Sequence, residues 1–192
     1  MRVSKSLCFA ACVSLGACGL GTSGGALDTR QNAGPCPTVG ALYDTARIIK
    51  FDGPEGTEVY SDIAYTGEIV DVRLFCRYVG DEPLLAEVEV DFAFGQGPKG
   101  AGRYHEYSYF VAVTRRNARV LSRESFSVRA DFRNGPVDAA RDVVGKIQIP
   151  RIDETISGAN FEILVGFDLT NEQLAFNRDG KRFRLDAGER AG

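Results

Sequence analysis

From Leu84 to Phe94 every even position is apolar (Leu84, Ala86, Val88, Val90, Phe92, Phe94), while Glu87, Glu89 and Asp91 stand at odd ones. A period of two sends successive side chains to opposite faces of an extended chain, so this segment predicts a half-buried β-strand. The pattern recurs. Val70, Val72, Leu74, Cys76 and Tyr78 make one face against Asp71, Arg73 and Arg77, and Tyr107, Tyr109, Val111 and Val113 make another. A fourth strand is expected from Val120 to Phe132 through Phe126, Val128 and Ala130, and a fifth over Phe161, Ile163, Val165, Phe167 and Leu169. Shorter candidates lie at Leu42 to Phe51 and at Lys146 to Ile149, the latter stopped by Pro150.

Two helical pieces interrupt the strands. Pro136 to Val144 has Pro near a helix start, Gly145 after its end, and Ala139, Ala140, Val143 and Val144 spaced for one buried face. Thr170-Asn171-Glu172-Gln173 fits a capping box, with Gly180 as the stop after Leu174 and Phe176 have docked. Its rival is a hairpin turning at Asp179-Gly180, with Arg182 to Leu185 as a last strand. Strands with one wet face each and short polar loops predict a mainly β fold. The expected architecture is an antiparallel Ig-like β-sandwich with one or two short helices, and a small β-barrel is the alternative. The chain has no Trp, so the likeness to Ig domains is architectural and carries no function.

With 192 residues, 44% of them hydrophobic and 26% charged, the chain is one domain's worth of globular polypeptide. A net charge of -3 gives no basic excess to hold a phosphate backbone, and no nucleic-acid partner is expected.

The first residues suggest export. Arg2 and Lys5 precede an uncharged run from Leu7 to Ala17, which would reach only about 16 Å as a helix, half a bilayer's hydrocarbon thickness. At its end, Leu15-Gly16-Ala17-Cys18 resembles the lipobox of bacterial lipoproteins, in which small residues precede a cysteine thiol that carries a diacylglyceryl group. The resemblance implies that residues 1–17 are a signal peptide and that Cys18 is the lipidated first residue, anchoring the protein in a membrane. Gly19, where enteric-type lipoproteins retained in the inner membrane carry Asp, implies an outer-membrane lipoprotein facing the periplasm. A soluble periplasmic protein or an inner-membrane anchor is the alternative. Residues 18–37 are then a lipidated Cys and flexible tether rich in Gly, 38–185 the β-sandwich, and 186–192 a disordered tail. Residues Gly166 to Arg178 also resemble segments of uncharacterised envelope proteins of Gram-negative bacteria, which implies no activity.

Of five cysteines, Cys8 and Cys12 leave with the leader and Cys18 takes lipid, so Cys36 and Cys76 remain as a pair in an oxidising space. A disulfide is expected, with two thiols as the alternative. Two distant Cys and one His are too few ligands for zinc, and neither metal nor cofactor is expected.

Candidate chemistry is sparse. His105, in Tyr104-His105-Glu106-Tyr107, is the one imidazole in the chain, and no Gly-x-Ser-x-Gly accompanies it. Gly95-Gln96-Gly97-Pro98-Lys99-Gly100-Ala101-Gly102 follows a strand as a phosphate loop would. It lacks Ser or Thr after Lys99, however, and reads as a mobile connector. Between Arg115 and Arg133 six arginines face only Glu124 and Asp131. Arg115, Arg119, Arg123 and Arg129 are therefore either a binding face for an anionic glycan, lipid or protein, or cross-strand partners of Glu87, Glu89 and Asp91. The reading that follows is a lipid-anchored envelope protein, a non-catalytic binding or structural module for a protein partner or envelope polymer. The alternatives are a periplasmic hydrolase acting through carboxylates or His105, and a carrier holding a small apolar ligand between its sheets.

Overall fold

The computed structural model describes residues 34–54, 57–79, 82–115, 119–151 and 156–181. The leader, Cys18, the tail and the hairpin strand considered at Arg182 to Leu185 lie outside the described residues. Among the described residues there are eight strands, β1 (Thr38–Ala41), β2 (Arg47–Phe51), β3 (Ile63–Arg77), β4 (Leu84–Gln96), β5 (Tyr104–Arg115), β6 (Arg119–Asp131), β7 (Val137–Ile149) and β8 (Phe161–Phe167). One helix, α1 (Asn171–Arg178), follows. They form two four-stranded sheets with orders β1-β8-β5-β6 and β2-β3-β4-β7. Every pair is antiparallel except β1 with β8, and neither sheet closes on itself among the described residues, so the fold is a β-sandwich rather than a barrel.

The alternation seen in the sequence becomes the core. The inward row of β4, Leu84 through Phe94, is at most 4% exposed, and Phe161, Ile163, Val165 and Phe167 of β8 face it from the other sheet at similar depth. Rings fill the space between the sheets. Phe94 stacks on Tyr107 at 4.4 Å, and Phe92 meets Tyr109 edge-on at 5.0 Å and Phe167 at 5.8 Å. Each buried large side chain stabilises the fold by roughly 1.5–3 kcal/mol.

Three expectations change. Pro136 to Val144 is not a helix, because Val137 onward belongs to β7. Its inward row is Asp138, Ala140, Asp142 and Val144, and two carboxylates on the core side conceal the period of two. Both are satisfied: Asp142 Oδ2 accepts from Tyr109 Oη at 2.8 Å, and Asp138 Oδ2 accepts the Asp131 N–H at 2.7 Å. The expected helix stop at Gly145 is half of a β-bulge instead. Gly145 and Lys146 together face Glu87, and Lys146 takes a left-handed φ of 62°. In β3, Val70 points outward, 63% exposed, rather than inward. A bulge between Ile69 and Asp71 exchanges the faces, so odd residues point inward before it and Val72, Leu74 and Cys76 after it.

The third change concerns the Gly97–Gly102 connector, which is tied down. The Gly97 and Lys99 N–H groups donate to the Ala64 and Ile63 carbonyls at 2.8 and 2.9 Å. Gln96 Nε2 donates to the Gly102 carbonyl at 3.0 Å, and Tyr65 Oη donates to that of Ala101. A Cβ on Gly97 would lie 2.3 Å from the Ile63 carbonyl oxygen, so the backbones approach this closely only because the residue is glycine.

Helix α1 forms as its signals suggest. Thr170 Oγ1 accepts the Gln173 N–H at 3.3 Å, and Gln173 Oε1 accepts the Thr170 N–H at 2.9 Å. Phe176 docks on Phe51, and Asn177 Nδ2 donates to the Asp44 and Arg47 carbonyls.

Strand registers define two poles. Thr38 aligns with Glu162, and Arg115 with both Phe161 and Arg119, while Leu84 aligns with Ile149 on the other sheet. The N-terminal segment joins the body at this pole. Cys36 is bonded to Cys76, with 5.9 Å between their Cα atoms. Tyr78 Oη donates to the Pro35 carbonyl and accepts the Gly158 N–H, each at 2.7 Å, while the Arg151 guanidinium lies 4.9 Å over the Tyr78 ring. Tyr104 aligns with Asp131 at the far pole, eleven residues and about 36 Å along β5 from Arg115.

Candidate functional site

The four arginines singled out in the sequence lie along two paired strands. Arg115 and Arg119 face each other in register where β5 turns into β6, at the pole that receives the N-terminal segment. Arg115 borders a half-open cleft of about 190 Å3 with Leu121, Pro150, Arg151, Ile156 and Phe161. Arg123 and Arg129 stand on the outer face of β6. The Arg123 guanidinium packs 4.3 Å over the Phe110 ring and pairs with Asp168, which also accepts from Ser108 Oγ at 2.8 Å. These contacts cover Phe110, an outward ring only 7% exposed on the central strand β5. Arg123 is thus committed to packing.

Among the described residues, Arg115, Arg123 and Arg129 form no ion pair with the carboxylates of β4. Glu89 and Asp91 lie on the other sheet, where Arg73 of β3 reaches both at 3.2 and 2.9 Å and Arg141 of β7 reaches Asp91 at 2.6 Å. Arg141 first, then Arg73, holds the Asp91 carboxyl below the usual aspartate range. The carboxylate row predicted an ion-pair network correctly but not its partners, because sheet membership is set by strand order rather than by proximity along the chain.

Arg129 belongs to a second grouping. Its guanidinium carbon lies 4.9 Å from the centroid of Tyr104, and those of Arg103 and Arg133 lie 5.8 and 5.7 Å from the same ring. Tyr104 is 43% exposed, so the platform faces solvent. Three segments supply the arginines: the loop before β5, the outer face of β6, and the turn after β6. The Phe132 N–H donates to the Arg103 carbonyl at 2.7 Å, fixing the first against the third, and the Arg133 side chain pairs with Asp131. Sequence reasoning named Arg129 and counted Arg133 within the arginine-rich segment, but missed Arg103 and Tyr104. The available signal was Arg129 and Asp131 on alternate positions at the end of β6, with Arg133 in the turn just beyond, beside the Arg103-Tyr104 pair.

His105 faces the interior. Tyr65 stacks on it at 3.8 Å and Tyr107 meets it edge-on at 4.7 Å. Burial first, and then the Lys50 charge, hold its imidazole below the usual histidine range. Among the described residues it has no hydrogen bond or ion pair, and no three His, Cys, Asp or Glu side chains converge as a metal site. No family model, curated protein or solved structure matches this chain.

Proposed function

We propose that this protein is a lipid-anchored module of the bacterial cell envelope that binds a protein partner or an envelope polymer and performs no chemistry of its own. The observation that carries the reading is the fixed attachment of the N-terminal segment at one pole, through Cys36–Cys76 and the Tyr78 node, with the arginine-ringed Tyr104 at the opposite pole. A chain tethered at Cys18 would hold its disulfide pole toward the membrane and present Tyr104 away from it. Outer-membrane anchoring on the periplasmic side accords with Gly19. The hydrolase alternative would rest on carboxylates or on His105, which is packed against the Tyr65 and Tyr107 rings with Lys50 and Glu106 as the charges that act on it. The carrier alternative would place its ligand in the cleft beside Arg115 and Phe161, since rings occupy the space between the sheets.

Intact-mass measurement of the exported chain tests the anchor, and in-cell crosslinking followed by mass spectrometry tests the binding role. A diacylglyceryl-modified N-terminus at Cys18 and a reproducible crosslinked neighbour are expected. An unmodified start beyond Cys18, or turnover of a substrate that His105→Ala abolishes while the protein stays folded, would overturn the reading.

A further inference from the structure

We propose that Arg103, Arg129 and Arg133 around Tyr104 form a binding site for a phosphate oxyanion, as a phosphomonoester or phosphodiester group of an envelope ligand. This deepens the binding reading above by naming the ligand's chemistry, but the site does not depend on the lipid anchor.

Charge is the first argument. Asp131 is engaged by Arg133, and Glu106, opposite Arg129 in the β5–β6 register, forms no ion pair with it. Arg103 and Arg129 have no hydrogen-bond or ion-pair partner among the described residues. Three guanidinium groups thus gather around one ring with Asp131 and Glu106 as the adjacent carboxylates, a local positive excess in a chain whose net charge is -3. Gathering like charges is unfavourable unless an anion completes the cluster.

Geometry is the second argument. Each guanidinium carbon lies within 6 Å of the ring centroid, so no two are more than about 12 Å apart. A carboxylate satisfies one guanidinium fork, whereas a phosphate offers three or more acceptor oxygens and bridges several. Pre-organisation is the third. Arg103 is held by the Phe132 N–H, the loop before it by Gln96 and Tyr65, and Arg129 by the β5–β6 ladder, so little backbone ordering is left for binding.

The test uses the full exported chain, solubilised in detergent, with inorganic pyrophosphate as probe and acetate at matched ionic strength as control. Pyrophosphate is expected to bind at least tenfold more tightly than acetate. Arg103→Ala and Arg129→Ala should each weaken it fivefold or more, Tyr104→Phe should retain it, and Arg115→Ala should leave it unchanged. Flotation with phosphatidylglycerol and phosphatidylcholine vesicles separates the sources. Capture by the anionic vesicles that requires Arg103 and Arg129 assigns a lipid headgroup, and pyrophosphate binding without such capture assigns a soluble phosphorylated ligand. Equal binding of acetate and pyrophosphate, or affinities that ignore both arginine substitutions, overturns the proposal. An unlipidated Cys18 would sink the anchor while leaving this site intact.

Discussion

Tyr109, on the central strand of one sheet, donates its hydroxyl proton to Asp142 on the edge strand of the other at 2.8 Å. The tyrosine is fully buried, so this is a polar tie between layers inside an aromatic core. The other Asp142 oxygen accepts the Val143 N–H at 2.8 Å. Tyr109→Phe keeps the ring against Phe92 but leaves Asp142 Oδ2 without its donor. The expected loss is about 1–3 kcal/mol of unfolding free energy, measured by urea titration.

The same burial raises both the Tyr107 and Tyr109 hydroxyls above the ordinary tyrosine range, with the Asp142 charge adding to the second. A folded-state pKa raised above the unfolded value gives stability that is present below pH 10 and lost as the pH climbs. Ultraviolet titration should therefore show these two phenolates appearing only with alkaline unfolding.

His105 works in the opposite direction. Its folded-state pKa lies below the ordinary value of 6.5, so its contribution is complete above that pH and declines as the pH falls below it, when the unfolded chain takes up the proton first. Replacing His105 with Gln should flatten the stability profile between about pH 6.5 and 5 relative to the parent. Parallel profiles would contradict this.

The Cys36–Cys76 bond closes a loop with a sequence separation of 40. Cys36→Ala with Cys76→Ala should lower stability by roughly 2–4 kcal/mol, and a reductant should lower the parent's midpoint but not the double variant's.

At Gly97, alanine would drive its Cβ into the Ile63 carbonyl, a backbone atom unable to swing aside. Gly97→Ala should cost at least 1 kcal/mol and loosen the Lys99 amide, seen as faster hydrogen exchange there.

The period of two made β4, β5 and β8 legible, because their core rows are apolar throughout apart from His105 near the start of β5. It failed at β7 because Asp138 and Asp142 face inward and find partners across the sandwich that no local pattern reveals. It failed at Val70 because a bulge shifts parity without altering composition. The capping box of α1 was legible because its partners are only three residues apart. The Tyr104 cluster was not, since its arginines come from three segments joined by the β5–β6 register.

The covalent link at residue 36 also gives the molecule a mechanical stop. Tension from the N-terminal side arrives at Cys36 before it reaches β1, four residues long and held in the sheet, among the described residues, by β8 alone. The bond diverts that load to Cys76, near the end of the fifteen-residue β3, which is hydrogen-bonded on both sides along part of its length. Without it, the short parallel strand would peel one hydrogen bond at a time, and reduction should therefore lower the force at which the sandwich opens when drawn from its N-terminus.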